Sequence, residues 1–328
     1  MAAEESFLLL NPFGRLAGSP LPMQHYNFLD ELAIENAWLA IGIFDGVHRG
    51  HQEVLRRLVS GAHEKASPAV VLTFTPHPAV VLGGKSGFKC LTTPEERTDL
   101  LLSFGVDIVI TQTFDRLLAD QTAEQFMQRV ERSLGLRHLV IGYDTALGRG
   151  REGNAARLTG IGRTLGYSLE SIPPLKDEQG IISSTRIRAS VAAGDMTAAA
   201  SGLGRYFFVT GPVVHGDGRG HTINIPTANI QVSAGKLIPA NGVYATRAWV
   251  DGKSYPAATN VGIRPMFTPD LPAPVIEAHL LDFSQDLYGK PVKLEFVEYL
   301  RPEEKYASVE ALLEQIRKDI KKTREILG

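Results

Sequence analysis

What most limits the folds open to this chain is a change of rhythm part-way along it. From about Ala37 to Pro173, short apolar runs alternate with amphipathic stretches; from about Phe207 the amphipathic stretches vanish until the very end. In the first part AWLAIGI, AVVLTF, VDIVIT, HLVIG and YSLESI read as strands, while HQEVLRRLVSGAHEKA, PEERTDLLLSFG, TAEQFMQRVERSLG and NAARLTGIGRTLG read as helices. Thr93-Pro94-Glu95-Glu96 and Thr122-Ala123-Glu124-Gln125 each set a hydroxyl three residues ahead of a Glu or Gln, the start signal of a helix. Gly105 and Gly135 stand where helices stop. Strands alternating with helices of this length predict βαβ units and a parallel sheet covered on both faces, with ligands at the carboxyl ends of its strands. In the second part FFVTGPVV, GVYATRAWV, SYPAATNVGI, VIEAHLLDF and VKLEFVEYL read as strands, and Ser308 to Leu327 as a helix. The expectation is an α/β chain in two domains: a Rossmann-like parallel-sheet domain over 1–193, a linker over 194–205, and an antiparallel β-barrel with a terminal helix over 206–328.

Of the 328 residues 44% are hydrophobic and 21% charged, with a net charge of −2. That is enough apolar material for two cores, and it offers no basic surplus to hold nucleic acid or a membrane surface. The single cysteine, Cys90, cannot form an internal disulfide, which fits a reducing compartment. The first 35 residues show no basic segment followed by an apolar one, and no run approaches about 20 apolar residues. These features predict a cytoplasmic protein acting on small molecules, with neither nucleic acid nor membrane as partner.

Between the first strand and the first helix lies IGIFDGVHRGH, from Ile41 to His51. Gly46 and Gly50 permit a tight turn, and His48 and His51, three apart at a helix start, share a face. A helix N-terminus offers free N–H groups and partial positive charge, which suits phosphate. Two imidazoles there can neutralise charge on a nucleotide as pyrophosphate leaves, which is electrostatic rather than nucleophilic catalysis. A metal pair and simple loop capping are the alternatives; no third ligand at suitable spacing supports the metal.

In the second part PTANI offers the Thr227 hydroxyl and the Asn229 amide, which point to one side if the segment is extended. Both give oxygen to a hard cation such as Mg²⁺. HGDGRGH, with Gly216, Gly218, Arg219 and Gly220, reads either as a solvated hairpin loop or as a loop over phosphates. Glu277 interrupts the apolar alternation of VIEAHLLDF and shares a face with His279; a solvent-facing position is the plainer reading. GxxxxGKS/T is absent, so neither part is a P-loop kinase.

FDGVHRGH resembles the HxGH signature of nucleotidyltransferases in the form found in prokaryotic bifunctional riboflavin kinase/FAD synthetases. LTFTPHP, IGYD, GRGREG, ISSTRIR and LGR follow in order, then HGDGRG, PTANI, GVYA, NVGIRP and LYGK, so that the resemblance runs from about Trp38 to Ile320. It implies that the second part phosphorylates riboflavin to FMN. The first would adenylylate FMN to FAD with release of pyrophosphate, both steps using ATP and Mg²⁺. By the same resemblance His48 and His51 contact ATP phosphates within a turn that includes Gly42, Phe44, Asp45, Gly46 and Gly50. Ser183, Ser184, Thr185, Arg186 and Arg188 of ISSTRIR help hold the triphosphate, and His77 with Pro78 forms a rigid loop near the flavin phosphate. Asp144 and Asn260 belong to a flavin or nucleotide pocket, and Gly216, Gly218, Arg219 and Gly220 cover the kinase phosphates. Thr227 and Asn229 sit at the Mg-ATP site and Glu277 is the general base.

The chain departs from the family pattern at three places. DFxFG becomes Asp144-Thr145-Ala146-Leu147-Gly148, glycine becomes Asn224, and RPTF becomes Arg264-Pro265-Met266-Phe267. Two lost aromatics predict weaker binding in the first part, by roughly 1 kcal/mol per ring. The rival readings are a riboflavin kinase with a weakened adenylyltransferase half, a non-catalytic flavin-binding protein, and a nucleotidyltransferase for another phosphorylated small molecule. A transient homo-oligomer, or transfer of product to apo-flavoproteins, is left open.

Overall fold

The computed structural model describes residues 23–83, 87–216, 225–263 and 274–328. The expectations for Gly218, Arg219, Gly220, Asn224 and Arg264 to Phe267 lie outside the described residues. The chain divides into two compact units, with the division between Ser184 and Thr185.

The first unit is built on one parallel sheet. Its strands are β1 (Gln24–Tyr26), β2 (Trp38–Ile41), β3 (Ala69–Thr75), β4 (Ile108–Thr113), β5 (His138–Gly142) and β6 (Ser168–Ile172), in the order β1-β4-β3-β2-β5-β6. Pairing is parallel throughout. The chain therefore runs outward from β2 through β3 to β4, then returns to β2 and runs the other way through β5 and β6. The strand order reverses between β2 and β5, and the crevice at their carboxyl ends is where such sheets bind ligands. The strands are almost wholly apolar because both faces are covered: Leu39, Val70, Val71, Leu72, Val109, Ile110, Leu139 and Val140 are all buried.

Helices α1 (Arg49–Glu64), α2 (Pro78–Gly83), α3 (Pro94–Ser103), α4 (Arg116–Ala119), α5 (Ala123–Leu134) and α6 (Ala155–Leu165) connect the strands. The two capping boxes form as expected: Thr93 and Glu96 bond reciprocally at the start of α3, and Thr122 and Gln125 at the start of α5. α1 buries Val54, Leu55, Leu58 and Val59, and a Cβ at Gly61 would lie 2.1 Å from the Trp38 ring, so only glycine lets this helix lie so close to β2. A short hairpin, β7 (Lys176–Asp177) with β8 (Gly180–Ile181), precedes α7 (Ser184–Ala192).

The second unit is a closed six-stranded antiparallel barrel. Strands β9 (Phe207–Val214), β10 (Ala228–Ile230), β11 (Gly242–Val250), β12 (Lys253–Ile263), β13 (Pro274–Leu280) and β14 (Pro291–Arg301) close in the order β10-β13-β12-β11-β14-β9. Tyr244, Phe207 and Phe296 fill the interior, with Tyr244 edge-on to Phe296 at 5.2 Å between centroids. The expected linker over 194–205 contains helix α8 (Met196–Leu203), capped by Asp195 and ended by left-handed Gly204, and it packs on β9 and β14 as part of this unit.

The terminal helix α9 (Val309–Leu327) lies against β11 and β12. Arg301 on β14 donates from Nε and Nη2 to the Asp319 carboxylate on α9, the shortest of these bonds at 2.7 Å. Among the described residues, no helix is long and apolar enough to cross a membrane.

Asp319→Ala is expected to strand the Arg301 guanidinium without its carboxylate and to destabilise the second unit by about 3 kcal/mol. Denaturant unfolding followed by tryptophan fluorescence, with Trp249 on β11 reporting this unit beside Trp38 of the first, checks this.

Candidate functional site

The turn after β2 opens on Gly42, whose missing side chain leaves room for the Phe44 ring: a Cβ there would sit 3.1 Å from it. Phe44, Gly46 and Val47 then adopt φ values of 52°, 78° and 39°. Left-handed backbone is ordinary for glycine but sparse for other residues, and each such position costs on the order of 1–3 kcal/mol unless its surroundings enforce it. Here they do. Phe44, Asp45 and Val47 are buried, and the Val47 carbonyl accepts from Gln52 Nε2 at 2.9 Å. The turn delivers His48 as the N-cap of α1, where its Nδ1 accepts from the His51 backbone N–H at 3.3 Å. That acceptor role leaves the proton of a neutral His48 ring on Nε2. The His48 and His51 rings stack at 3.6 Å and 18°, with Phe44 edge-on to His51 at 5.1 Å. Gly50 has no positive φ; it matters because a Cβ there would lie 3.1 Å from the His48 ring. Its role is close approach rather than turning.

Asp45 and Ser184, both expected near phosphate, also make contacts within the chain. The Asp45 carboxylate is 2% exposed and accepts from the Leu91 and Thr92 backbone N–H groups at 2.7 and 3.2 Å, so it is engaged with the chain itself. Ser184 Oγ donates to the Asp45 carbonyl at 2.9 Å. Ser183 precedes it, half-buried. Thr185, Arg186 and Arg188 follow on α7 in the second unit, where Arg188 donates to the Thr185 hydroxyl at 3.0 Å.

His77 caps α2 by accepting from Ala79 N at 3.1 Å, and its ring lies 4.4 Å from that of Phe88; Pro78 is the first residue of that helix. Asp144 is exposed after β5, with its carbonyl held by Arg151 Nη2 at 2.9 Å. The glycine-rich segment behind it docks on the start of α5: Glu152 accepts from Ala123 N, and a Cβ at Gly148 would lie 2.4 Å from the same nitrogen. Leu147, one of the two positions without the family aromatic, packs against the apolar core of this unit.

In the barrel, Glu277 on β13 stands directly opposite Asn229 on β10 and Asn260 on β12. Directly opposed residues project to one side of a sheet with Cβ atoms roughly 5 Å apart, so the carboxylate lies in a row between two amides. Asn260 Nδ2 donates to Glu303 Oε1 at 3.0 Å, and His279 bonds the Pro226 carbonyl at 2.8 Å. A Cβ at Gly216 would lie 2.3 Å from Asn229 Nδ2, so this loop residue must be glycine for the amide to keep its place. Asn229 Oδ1 is buried and has no hydrogen-bond partner among the described residues. An orphaned buried oxygen two residues from the Thr227 hydroxyl fits a hard cation. No cluster of three or more His, Cys, Asp or Glu able to hold a metal occurs among the described residues.

Two cavities flank this row. One, of about 290 Å³, is lined by Glu277, Asn260, His279, Glu303 and Tyr306 as well as Thr227. The other, of about 480 Å³, includes Pro226, Leu280, Phe283 and Tyr288, and again Thr227. Tyr288 stacks on His215 at 3.9 Å. Sequence reasoning missed Glu303, Tyr288 and the Arg301–Asp319 pair; only LYGK gave a hint of Tyr288.

A riboflavin kinase family model matches residues 203–327, and an FAD synthetase family model matches residues 31–186. A bifunctional riboflavin kinase/FMN adenylyltransferase of Bacillus subtilis (strain 168) is 35% identical over 284 residues, covering 86% of this chain and 89% of the relative. One from Listeria monocytogenes is 35% identical over 305 residues, covering 92% and 96%. The crystal structure of a macrolide-efflux protein from Streptococcus pneumoniae matches with a TM-score of 0.84 at 30% identity, over 93% of this chain and 99% of that one. With each half matched by its own family model and whole-length relatives at this identity, the chain belongs to the bifunctional riboflavin kinase/FMN adenylyltransferase family.

Proposed function

We propose that this enzyme, which uses Mg²⁺-ATP to make FMN from riboflavin and FAD from FMN, performs the two reactions at the two sites built above. The adenylyltransferase reaction is assigned to 1–193 and the kinase reaction to 206–328, with 194–205 between them. The observation that carries the kinase assignment is the row Asn229–Glu277–Asn260 beside a wall, Thr227, common to two cavities.

A base must touch the hydroxyl it deprotonates, so riboflavin belongs in the cavity that contains Glu277. The nucleotide belongs in the larger cavity, where the stacked Tyr288 ring offers a surface for a base. Glu277 takes the proton of the 5′-hydroxyl as its oxygen attacks the γ-phosphorus of ATP, and ADP leaves. The asparagines hold the carboxylate side of the row, and Glu303 fixes Asn260. Mg²⁺, when bound by Thr227 and Asn229 with the nucleotide, supplies neutralisation of the phosphate charge. The covering loop of Gly216, Gly218, Arg219 and Gly220 is assigned from its motif.

In the first unit the same logic applies at the β2/β5 crevice. An oxygen of the FMN phosphate attacks the α-phosphorus of ATP and pyrophosphate leaves. His48, donating from Nε2, and His51 stabilise the charge that develops on the phosphates. Gly42, Phe44, Gly46 and Gly50 shape that turn. Ser183, Ser184, Thr185, Arg186 and Arg188 are assigned to the triphosphate on the ISSTRIR motif. His77, Pro78 and Asp144, all at carboxyl ends of strands, are assigned to the flavin and nucleotide pocket. A cytoplasmic location, with hand-over of product to apo-flavoproteins or a transient homo-oligomer, completes the reading; the single cysteine and low net charge support the location.

Chromatography of products from riboflavin or FMN with Mg-ATP tests both sites. Glu277→Ala is expected to lower FMN formation at least about 100-fold while leaving FAD formation from FMN intact. FMN formation at the wild-type rate would remove Glu277 as base. His48→Ala with His51→Ala should lower FAD formation by a similar factor and spare the kinase. Gly216→Ala should displace the Asn229 amide and raise the KM for ATP in the kinase reaction alone, which initial rates at varied ATP would show.

A further inference from the structure

The catalytic turn carries more strain than its own residues can enforce, with two non-glycine positions, Phe44 and Val47, in left-handed backbone just ahead of His48. The groups that hold it come from far along the chain. Asp45 reaches 46 residues forward to accept from Leu91 N at 2.7 Å and also takes Thr92 N at 3.2 Å. Thr92 reaches back: its Oγ1 accepts the Gly46 backbone N–H at 3.1 Å. Asp45 and Thr92 are each 2% exposed, so these are closed, water-free contacts.

The next residue, Thr93, caps α3, and that helix carries the buried Arg97. Arg97 is 2% exposed, and its Nη2 donates to the Phe74 carbonyl near the end of β3 at 3.0 Å. Its Nε has no hydrogen-bond partner among the described residues. Burial pushes the Arg97 pKa down, and Asp45 is the nearby group that most opposes that shift, ahead of Cys90 and Glu95. A buried guanidinium with one hydrogen bond to a carbonyl is costly unless a charge nearby compensates it.

We infer that Asp45 and Thr92 are positioning residues for adenylyl transfer: their reciprocal clasp between the catalytic turn and the 91–92 segment, backed by Arg97, holds His48 in the orientation its phosphate needs. Asp45 acts through the turn and does not touch the nucleotide. This also accounts for a carboxylate in a site that must receive a triphosphate. Its carboxylate accepts from two backbone N–H groups, which offsets its charge within the chain. The inference rests on the assignment of His48 and His51 to phosphate, and its test separates the two.

The informative pair is Thr92→Val, which keeps the side-chain shape and removes the acceptor for Gly46 N–H, and Thr92→Ser, which restores the hydroxyl. Adenylylation of FMN and phosphorylation of riboflavin would be measured on the same full-length preparations, together with the unfolding midpoint. Thr92→Val is expected to lower the kcat for FAD formation at least about 10-fold, because small misplacements of a catalytic group cost that much or more. The KM for FMN and the kinase rate should stay unchanged, and Thr92→Ser should recover most of the loss. Asp45→Asn, which keeps an acceptor oxygen but removes the charge, should fall between.

A wild-type kcat in Thr92→Val would overturn the inference. So would equal impairment of Thr92→Ser, or a parallel loss of both activities with a lowered midpoint, which would mark a general folding role. The double histidine variant in the same assay guards the premise. If it retains FAD formation, the phosphate reading of the turn fails; if it loses FAD formation while Thr92→Val does not, only the clasp fails.

Discussion

The parallel pairing of β2 with β3 on one side and β5 on the other is the constraint on which the first unit depends. It forces the strand order to reverse at β2, and a reversal leaves a crevice because the chains that leave the two neighbouring strands run in opposite directions. The only segment that can floor that crevice is the one leaving β2. The glycines, the left-handed residues and the stacked imidazoles between Gly42 and His51 are therefore adaptations to a place in the topology. A helix start supplies N–H groups and partial charge at the same place, and the side chains add to a field that the backbone already provides.

The second unit solves a different problem with a different constraint. A closed barrel has fixed registers, so the opposition of Glu277 to Asn229 and Asn260 is set by the pairing of β13 with its two neighbours. A shift of one residue would turn Glu277 to the other face. The short β10 is the least protected part of this arrangement, at three residues, yet it carries Asn229. Its place is secured from two sides, by Gly216 and by the pairing with β9.

Much of this was legible in the sequence wherever the signal was local. The five longer strands of the first unit, the capping boxes at Thr93 and Thr122, and five of the six barrel strands announce themselves by period or by residues three apart, whereas the three-residue β10 was not read as a strand. β1, with the sequence Gln-His-Tyr, has no apolar run to reveal it and exists because β4 has an open edge. α8 was passed over although Asp195 and Gly204 mark both its ends, because its alanine-rich interior has no apolar stripe. Asp45 was read as a phosphate contact because it sits in a phosphate-type turn. Its bonds to the Leu91 and Thr92 backbone span a distance along the chain over which spacing carries no information. The packing of Leu147 against the core is likewise visible only in the fold.

Thr227 lines both barrel cavities. With flavin and nucleotide in these cavities as proposed, Thr227 would be a common wall through which their affinities are coupled. If the nucleotide settles the Thr227 rotamer, flavin meets a site already ordered and loses less freedom on entering. Linkage is reciprocal, so whatever factor nucleotide adds to flavin affinity, flavin returns to nucleotide. The barrel thus has the means to favour the ternary complex over either binary one without any rearrangement of its strands.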